Sequence, residues 1–367
     1  MRKEIMEKVQ RVVIKIGTKA IIDKDYRLDR NRIDHIIRQI KWLIDGGREV
    51  ILVSSGAIVE GVRILGLDER PKQLATLQAA AAVGQVSLME TYHSICSQAQ
   101  MTMAQVLLTS DDLKDRKRHL NAKHTFEELI KRRVLTIVNE NDSVSVEEIT
   151  FGDNDRLSAL VAILVQADLL IMLTDKDGLL GLDGELIANV PEIDGAIEKL
   201  AQGSVDWKGI GGMKSKLASA GIVVSSGESV LIANGSQENI IRKIFEKEDV
   251  GTFFFAKRGK ISSKKRWLAH FIKTQGALVL DSGALAAIQH KGKSLLASGI
   301  LSVTGAFQIG SLISLKDEQG CEIARGLSNY SALELEKIKG SKTSDIINVL
   351  GYKYADEVVH RNYLVVL

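Results

Sequence analysis

The feature that most constrains the fold of this 367-residue chain is the regular alternation of short apolar runs with longer amphipathic or alanine-rich stretches. The longer stretches carry apolar residues at helical spacing. Continuous apolar strands that alternate with helices are typical of a parallel sheet covered on both faces. We therefore predict an α/β fold with a mostly parallel sheet sandwiched by helices. The predicted strands are residues 11–16, 49–53, 134–138 and 169–173, and the predicted helices are residues 33–45, 74–88 and 157–166.

A change in sequence character near residue 256 divides the chain. Basic residues crowd into positions 257–266 around Gly259, which is typical of a hinge or linker. The segments beyond residue 276 are short and rich in turns, as in a small β-rich domain. The predicted division is a first domain at 1–256, a basic linker at 257–275, a small β-rich domain at 276–354 and a C-terminal tail at 355–367.

The composition argues against several classes of protein. The 49 basic and 46 acidic residues leave a net charge of only +3, which gives no general attraction to nucleic acid or to a membrane surface. No apolar run approaches the roughly 20 residues that a membrane-spanning helix needs, and the charged N-terminus does not resemble a signal peptide. Cys96 and Cys321 are far apart and lack metal-ligand spacing, which favours a reducing compartment. We expect a cytoplasmic protein without a membrane partner.

Small, polar and basic residues follow the predicted strands, at the edge where parallel sheets bind ligands. Lys15 lies near the end of the first strand, and Gly17, which follows the strand, allows the backbone to approach a phosphate. Ser55 and Gly56 follow the second strand, where they can cap a helix and present N–H groups to an anion. Each of these motifs taken alone is better explained as an ordinary strand end or helix cap.

Two further clusters follow the strand at 134–138, and they are harder to explain as turns. Residues 139–142 read Asn-Glu-Asn-Asp, and residues 151–155 read Phe-Gly-Asp-Asn-Asp. Carboxylates near a triphosphate can hold Mg²⁺, orient lysines or bind an ammonium group. We therefore favour a functional interpretation here. A Thr-Asp-Lys-Asp-Gly cluster at 174–178 is either a simple turn or part of a nucleotide site.

Glycines followed by lysines occupy residues 208–216, at the start of a helical pattern, which suits phosphate binding. The segment is not a Walker A loop, because that motif requires Gly, four residues and then Gly-Lys-Ser/Thr. The chain also lacks the Gly-x-Gly-x-x-Gly motif of a Rossmann dehydrogenase. The segment therefore predicts a phosphate site of another kind.

The order of these motifs resembles the amino-acid kinase superfamily, and within it the glutamate 5-kinase family. Lys-x-Gly-Thr, Ser-Gly-Ala-Ile, Asn-Glu-Asn-Asp, Gly-Asp-Asn-Asp, Leu-Thr-Asp and Gly-Gly-Met-x-x-Lys follow one another along the chain. The resemblance runs nearly end to end, since residues 264–267, 302–305 and 350–352 resemble the PUA domain of bacterial members. It implies the amino-acid kinase fold with a PUA-like C-terminal domain.

The resemblance implies an activity and a set of catalytic residues. The family transfers the γ-phosphoryl group of ATP to the γ-carboxylate of L-glutamate, the first step of proline biosynthesis, with Mg²⁺ as cofactor. Lys15 and Lys216 would lie on either side of the moving phosphoryl group, and Asp155 would fix these lysines or serve Mg²⁺. Apart from this option for Asp155, no residue is predicted as a direct metal ligand.

The resemblance also implies two sets of binding residues, with two departures from the family pattern. Ile210 replaces a threonine that is frequent in the family, and the segment 179–184 is shorter than in many members. The implied glutamate-binding residues are Ser55, Gly56, Asn139, Asp142, Asp153 and Asn154. The implied nucleotide-binding residues are Lys15, Gly17, Thr174, Asp175, Ile210, Gly211, Gly212, Met213, Lys214, Ser215 and Lys216.

The resemblance further implies proline as a feedback inhibitor, glutamyl phosphate reductase as a candidate partner, and a homodimer or homotetramer. Two alternatives stay open: a related kinase acting on N-acetylglutamate, aspartate, carbamate or a nucleoside monophosphate, and an RNA-binding protein that acts through its C-terminal domain. Residues 276–367 contain equal numbers of basic and acidic residues, which gives no electrostatic footprint for RNA. We therefore expect no nucleic-acid partner.

Overall fold

The computed structural model describes residues 1–144, 153–202, 212–256 and 274–367. The chain divides into two compact units, residues 1–260 and 261–367. The predicted linker lies outside the described residues except for its last two positions, 274 and 275. Within the described ranges, no helix is both long and apolar enough to cross a membrane.

The first unit is built on an eight-stranded sheet, and helices connect most of the strands that follow one another in the sequence. Its strands are β1 (Arg11–Ile16), β2 (Glu49–Ser54), β3 (Met103–Leu108), β4 (Leu135–Glu140), β5 (Leu169–Thr174), β6 (Asn189–Val190), β7 (Ser229–Asn234) and β8 (Thr252–Phe254). Its helices are α1 (Arg2–Lys8), α2 (Thr18–Ile21), α3 (Arg30–Asp45), α4 (Ala57–Ile64), α5 (Leu74–Gln98), α6 (Ser110–Lys114), α7 (Arg116–Lys131), α8 (Asp153–Val165), α9 (Gly195–Gln202), α10 (Met213–Ser225) and α11 (Ile240–Phe245).

The strand order of this sheet is β3-β4-β2-β1-β5-β7-β8-β6. All pairs from β3 to β7 are parallel, β8 runs antiparallel to β7, and β6 is parallel to β8. The central strands are apolar because both of their faces are covered, and β5 is buried along its whole length. The prediction of a mostly parallel sheet is therefore confirmed.

Helix α3 shows how the sequence sets an element of the outer layer. The Asp29 side chain caps it by accepting a hydrogen bond from the Arg32 backbone N–H. Its apolar residues at helical spacing are buried, and Gly47, with a φ of +85°, follows its end. The prediction for α5 was too short, because the helix continues to Gln98 and buries Tyr92 in its extension.

Helices α4 and α5 cross with their backbones in close contact. A Cβ atom added to Gly61 would lie 1.7 Å from the carbonyl oxygen of Ala80, and one added to Gly84 would lie 1.8 Å from that of Ala57. Only glycine fits at both positions. Because α4 starts directly after β2, this crossing fixes the turn at the carboxyl end of β2 relative to α5.

The second unit is a five-stranded sheet with short helices. The strands are β9 (Gly276–Leu280), β10 (Ile300–Gly305), β11 (Leu312–Lys316), β12 (Glu322–Leu327) and β13 (Leu364–Val366), in the order β10-β9-β11-β12-β13. The helices are α12 (Ser282–Lys291), α13 (Ala332–Ile338) and α14 (Ile346–Leu350), with 3₁₀ turns at Ala297–Gly299 and Arg361–Tyr363. The prediction of a small β-rich domain is confirmed.

The residues predicted as a C-terminal tail, 355–367, belong to this second unit. Strand β13 pairs with β12 in antiparallel register, and Val358, Val359 and Leu364 lie in the hydrophobic core. This corrects the predicted tail. Val358, Val359, Leu364 and Val365 of this segment are buried, and the pairing of β13 satisfies backbone groups of β12 that would otherwise lie on an open edge.

Candidate active site

Lys15, Asp155 and Lys216 form a cluster of buried charges near the carboxyl end of β1. The Nζ atom of Lys15 lies 2.7 Å from Oδ1 of Asp155, and the Nζ atom of Lys216 lies 3.2 Å from Oδ2. The exposed fractions of Lys15, Asp155 and Lys216 are 6%, 0% and 5%. The structure therefore brings together the three residues that were predicted to be catalytic, from β1, α8 and α10.

The electrostatics of this cluster favour an anionic ligand. Burial by itself raises the pKa of Asp155, but the charges of Lys15 and Lys216 outweigh burial and lower the pKa below its ordinary value. Burial lowers the pKa of Lys216, and the charge of Lys15 adds to this effect against the opposing attraction of Asp155. Two cations facing one carboxylate leave an excess of positive charge, which a phosphoryl group would neutralise.

The start of α10 adds to this preference for an anion. Gly212 is the N-terminal cap of the helix, and Lys216 lies in its first turn. The N-terminus of a helix disfavours a cation and favours a phosphate, because its backbone N–H groups point outward. Met213 and Ser215 are half-buried here, while Lys214 is exposed.

Gly17 lies beside the ammonium group of Lys15. Its N–H donates to the carbonyl oxygen of Leu173, 3.1 Å away, which ties the start of α2 to β5. A Cβ at Gly17 would lie 3.6 Å from Nζ of Lys15. The missing side chain keeps that side of the ammonium group uncrowded.

A cluster of neutral amides and hydroxyls is centred on Asn154, the residue that precedes Asp155 in the sequence. The two N–H groups of the Asn154 side chain are shared among three acceptors, which are Ser55 Oγ at 2.9 Å, Asn139 Oδ1 at 3.0 Å and the Ser54 carbonyl oxygen at 3.2 Å. Gly56, with a φ of +108°, turns the chain from β2 into α4. The structure thus joins Ser55, Asn139 and Asn154, which were predicted as glutamate-binding residues.

Asp142 is half-buried in the turn that follows β4. It lines a cavity of about 620 Å³ together with Gln85 and Glu140, beside apolar side chains of α5 and β3. The backbone of Asp153 begins α8, but its side chain lies outside what the structure describes. Ile210 and Gly211 also lie outside the described residues.

Thr174 and Asp175 follow β5 and form a second polar group. Thr174 Oγ1 donates to Asp175 Oδ1 at 3.1 Å, and Lys19 Nζ lies 3.1 Å from Asp175 Oδ2. Burial raises the pKa of Asp175, but the hydrogen bond and charge of Lys19 outweigh it and lower the pKa. The charge of Asp175 also acts on the pKa of Lys216, which places it within electrostatic reach of the charged cluster.

The sequence matches known families along nearly all of its length. The model of the amino acid kinase family matches residues 10–234, and that of the PUA domain matches residues 276–350. A glutamate 5-kinase from Caldanaerobacter subterraneus subsp. tengcongensis is 46% identical, over 97% of this chain and 98% of its own length. The chain belongs to the glutamate 5-kinase family.

Other similar proteins agree with this membership. A glutamate 5-kinase from Moorella thermoacetica is 44% identical, over 99% of this chain and 97% of its own length. The crystal structure of an N-acetylglutamate synthase from Neisseria gonorrhoeae, complexed with coenzyme A and L-arginine, matches with a TM-score of 0.52 and 12% identity, over 78% of this chain and 67% of that one. At that identity the likeness shows the fold alone.

Membership of the glutamate 5-kinase family confirms the predicted resemblance and the amino-acid kinase fold with a PUA domain. It makes the chain a kinase, and the family implies ATP as the phosphoryl donor. The similar proteins are glutamate 5-kinases, so they do not favour either alternative, a related carboxylate kinase or an RNA-binding protein.

The structure also shows partners of the site that the sequence did not point to. Lys19, which pairs with Asp175, lies four residues after Lys15, and its position beside the first motif was an available signal. Tyr92 contacts Ser54 through a hydrogen bond between their hydroxyl groups, 2.9 Å apart. Gln85 accepts a hydrogen bond from Asn139 at 2.8 Å. Tyr92 and Gln85 lie inside the long helix α5, where no motif marks them.

Proposed function

We propose that this protein transfers the γ-phosphoryl group of ATP to the γ-carboxylate of L-glutamate and forms γ-glutamyl phosphate, the first step of proline biosynthesis. The observation that carries the proposal is the buried Lys15–Asp155–Lys216 cluster, in which two ammonium groups face one carboxylate. The names of the similar proteins support glutamate as the substrate.

The charged cluster suits phosphoryl transfer, in which positioning and charge neutralisation contribute more than covalent chemistry. An oxygen of the γ-carboxylate attacks the γ-phosphorus, the bond from this phosphorus to the bridging oxygen breaks, and ADP leaves. Lys15 and Lys216 compensate the negative charge of the transferring group, while Asp155 holds both ammonium groups in place. No general base is required, since the γ-carboxylate of glutamate is ionised near pH 7.

The amide cluster would bind the amino acid beside the charged cluster. Asn154 and Asp155 are consecutive residues in the first turn of α8, so a ligand held by Asn154 lies close to the two lysines. We propose that Ser55, Gly56 and Asn139 complete this binding site. Asp142 supplies a negative charge for the α-ammonium group, and Asp153 belongs to the same site through its place at the start of α8.

The nucleotide would occupy the side formed by Gly17, Thr174 and Asp175 and by the segment 210–216, with its phosphates at the start of α10. We further propose that Mg²⁺ enters with the nucleotide. Within the described ranges, no group of three or more His, Cys, Asp or Glu residues could hold a metal ion. Both oxygens of Asp155 face lysines, so the phosphate oxygens and water would supply most of the ligands of Mg²⁺. The bound ion would neutralise phosphate charge.

The family resemblance supports three further proposals. They are a homodimer or homotetramer, feedback inhibition by proline at a site overlapping the glutamate site, and partnership with glutamyl phosphate reductase, and the composition adds a fourth, a cytoplasmic location. The PUA domain would modulate the kinase or its assembly, because residues 276–367 carry no net charge that would attract RNA.

An ADP-release assay with ATP and Mg²⁺ tests the substrate. We expect turnover with L-glutamate and at least about tenfold lower kcat/KM with N-acetylglutamate or L-aspartate, since a misplaced or blocked polar group leaves its partners in the site unpaired. Turnover with N-acetylglutamate or aspartate but not with L-glutamate would show that the proposed substrate, L-glutamate, is wrong. Hydroxylamine trapping of the acyl phosphate identifies the product independently of ADP.

A further inference from the structure

Gln85, on α5, ends a chain of three side-chain amides that runs through the proposed glutamate site. Its Oε1 accepts a hydrogen bond from Asn139 Nδ2 at 2.8 Å. Asn139 Oδ1 in turn accepts from Asn154 Nδ2 at 3.0 Å and from the backbone N–H of Glu140 at 3.0 Å. No motif and no predicted role includes Gln85.

Two backbone groups fix which way these amides point. The Glu140 N–H can only donate, so the oxygen of Asn139 must face it, and the nitrogen of Asn139 must then face Gln85. That nitrogen donates, so the facing atom of Gln85 is its oxygen. At the other end, the Ser54 carbonyl oxygen can only accept, so the nitrogen of Asn154 faces it. The orientation of all three amides therefore follows from fixed partners.

At each end of this chain of amides, one polar atom has no hydrogen-bond partner among the described residues. Asn154 Oδ1 and Gln85 Nε2 are both buried, and within the described part of the chain neither has a hydrogen-bond partner. Buried polar atoms without partners are rare in folded proteins, because they lose their hydration without compensation. A chain of amides with an unused acceptor at one end and an unused donor at the other is a costly arrangement to retain for stability alone.

The position of Gln85 is set by the crossing of α4 and α5. The preceding residue, Gly84, contacts Ala57 so closely that a Cβ would lie 1.8 Å from the Ala57 carbonyl oxygen. Ala57 follows Gly56 at the start of α4, in the turn that carries Ser55. The same backbone contact therefore fixes both the turn with Ser55 and the residue whose oxygen accepts the hydrogen bond from Asn139.

We propose that Gln85 is a positioning residue for the amino-acid substrate: its carbonyl oxygen holds the amide of Asn139 in the orientation that Asn154 requires. The inference rests on the proposed function, because it assigns the substrate site to these amides. Gln85 acts through Asn139 and not on the transferring phosphoryl group, so its loss affects binding of the amino acid more than the chemical step.

Two substitutions at Gln85 separate its acceptor from its bulk. Gln85→Met keeps the length of the side chain and removes the strong acceptor, whereas Gln85→Glu keeps an oxygen acceptor. We expect Gln85→Met to raise KM for L-glutamate about tenfold, with KM for ATP within about twofold of the parent, as for one lost hydrogen bond. In Gln85→Glu, KM for L-glutamate should stay close to that of the parent. Gln98→Leu, at an exposed residue in the last turn of the same helix, is the control and should change neither constant.

The kinetic result has two outcomes that would overturn the proposal. One is an unchanged KM for L-glutamate in Gln85→Met, and the other is an equal rise in KM for both substrates in Gln85→Met and Gln85→Glu, which would indicate a general loss of structure. Melting temperatures of all variants show whether each protein is folded.

Crystal structures of the parent protein and of Gln85→Met test the orientation of the amides without using activity. We expect the amide of Asn139 to turn away from Asn154 in Gln85→Met and to stay in place in Gln85→Glu. If the contact between Asn139 and Asn154 is unchanged in Gln85→Met, the positioning role is wrong even in an active kinase. If the parent protein does not turn over L-glutamate but the amide turns, the proposed function fails and the positioning of Asn139 by Gln85 stands.

Discussion

The two clusters at the start of α8 differ in the kind of interaction that holds them. The charged cluster joins Asp155 to lysines from β1 and α10, and the amide cluster joins Asn154 to groups that follow or end β2 and β4. Successive residues of a helix point about 100° apart, so one turn of α8 supplies a side chain to each cluster. A single helix start thereby connects two sites of different chemistry.

The difference suggests a division of labour. Attraction between charges depends on distance and on the local dielectric, and it tolerates changes in angle. Hydrogen bonds between amides depend strongly on angle and on which atom donates. The charged cluster therefore suits a group whose charge moves during the reaction, and the amide cluster suits a ligand that must be held in one orientation. Changes in the first cluster should lower kcat, and changes in the second should raise KM for the amino acid.

The largest expected effect is that of removing either lysine. Lys15→Met and Lys216→Met should each lower kcat by about 10³-fold while KM for L-glutamate changes by less than about threefold, because the lost charge acts on the transferring group. Steady-state kinetics with both substrates measure the split.

Lys131→Met is the matched control, since Lys131 is exposed at the end of α7. It should keep the activity of the parent. A rise in KM for L-glutamate with little change in kcat in the two cluster variants would reverse the proposed division between the clusters. Circular dichroism and melting temperature show whether Asp155, left with one cation, still permits folding.

A smaller effect is expected from the amide cluster. Asn154→Ala removes the nitrogen that bonds Ser55, Asn139 and the Ser54 backbone. It should raise KM for L-glutamate about 10- to 100-fold and leave KM for ATP nearly unchanged, since the lost hydrogen bonds do not touch the nucleotide side. Asn121→Ala, at an exposed position of α7, is the control. A loss confined to kcat would place Asn154 in the chemical step instead.

The sequence predicted the charged cluster better than the amide cluster. The strands could be found from local patterns, because apolar runs are contiguous in the chain, whereas Lys15, Asp155 and Lys216 were implied by the order of the motifs and by the family resemblance. Gln85 could not be found in either way, since its role depends on how closely α5 packs against α4. That distance is set by the contacts of Gly61 and Gly84 with backbone atoms of the facing helix. A glutamine inside a helix carries no signal of such a contact.

Two boundaries were missed for a related reason. The predicted helix at 74–88 was drawn around an alanine-rich stretch, whereas α5 continues through the buried residues Tyr92 and Ile95 and ends at Gln98. The predicted tail began at residue 355, shortly after the last motif that resembles a PUA domain, although β13 lies within that segment and pairs with β12. Both elements are stabilised by contacts that are distant in the sequence.

The smallest expected effect concerns pH and distinguishes Lys216 within the charged cluster. Burial and the charge of Lys15 lower the pKa of Lys216, so this ammonium group loses its proton at a lower pH than an ordinary lysine. In the free enzyme, kcat/KM for ATP should therefore fall on the alkaline side at a pH below the ordinary lysine pKa, because the neutral amine no longer neutralises phosphate charge.

Lys216→Arg keeps the charge at all accessible pH values and should move this decline to higher pH, whatever its effect on the maximal rate. The same shift in pKa has a consequence for stability. A lysine whose folded-state pKa is lowered costs free energy while it is charged, so its contribution to unfolding free energy becomes more favourable as pH rises through the folded pKa toward the unfolded one. Lys216→Met should abolish this rise, which urea unfolding at a series of alkaline pH values would measure. An alkaline decline that is identical in the parent and in Lys216→Arg would assign it to another group and remove Lys216 from its proposed role at the phosphate.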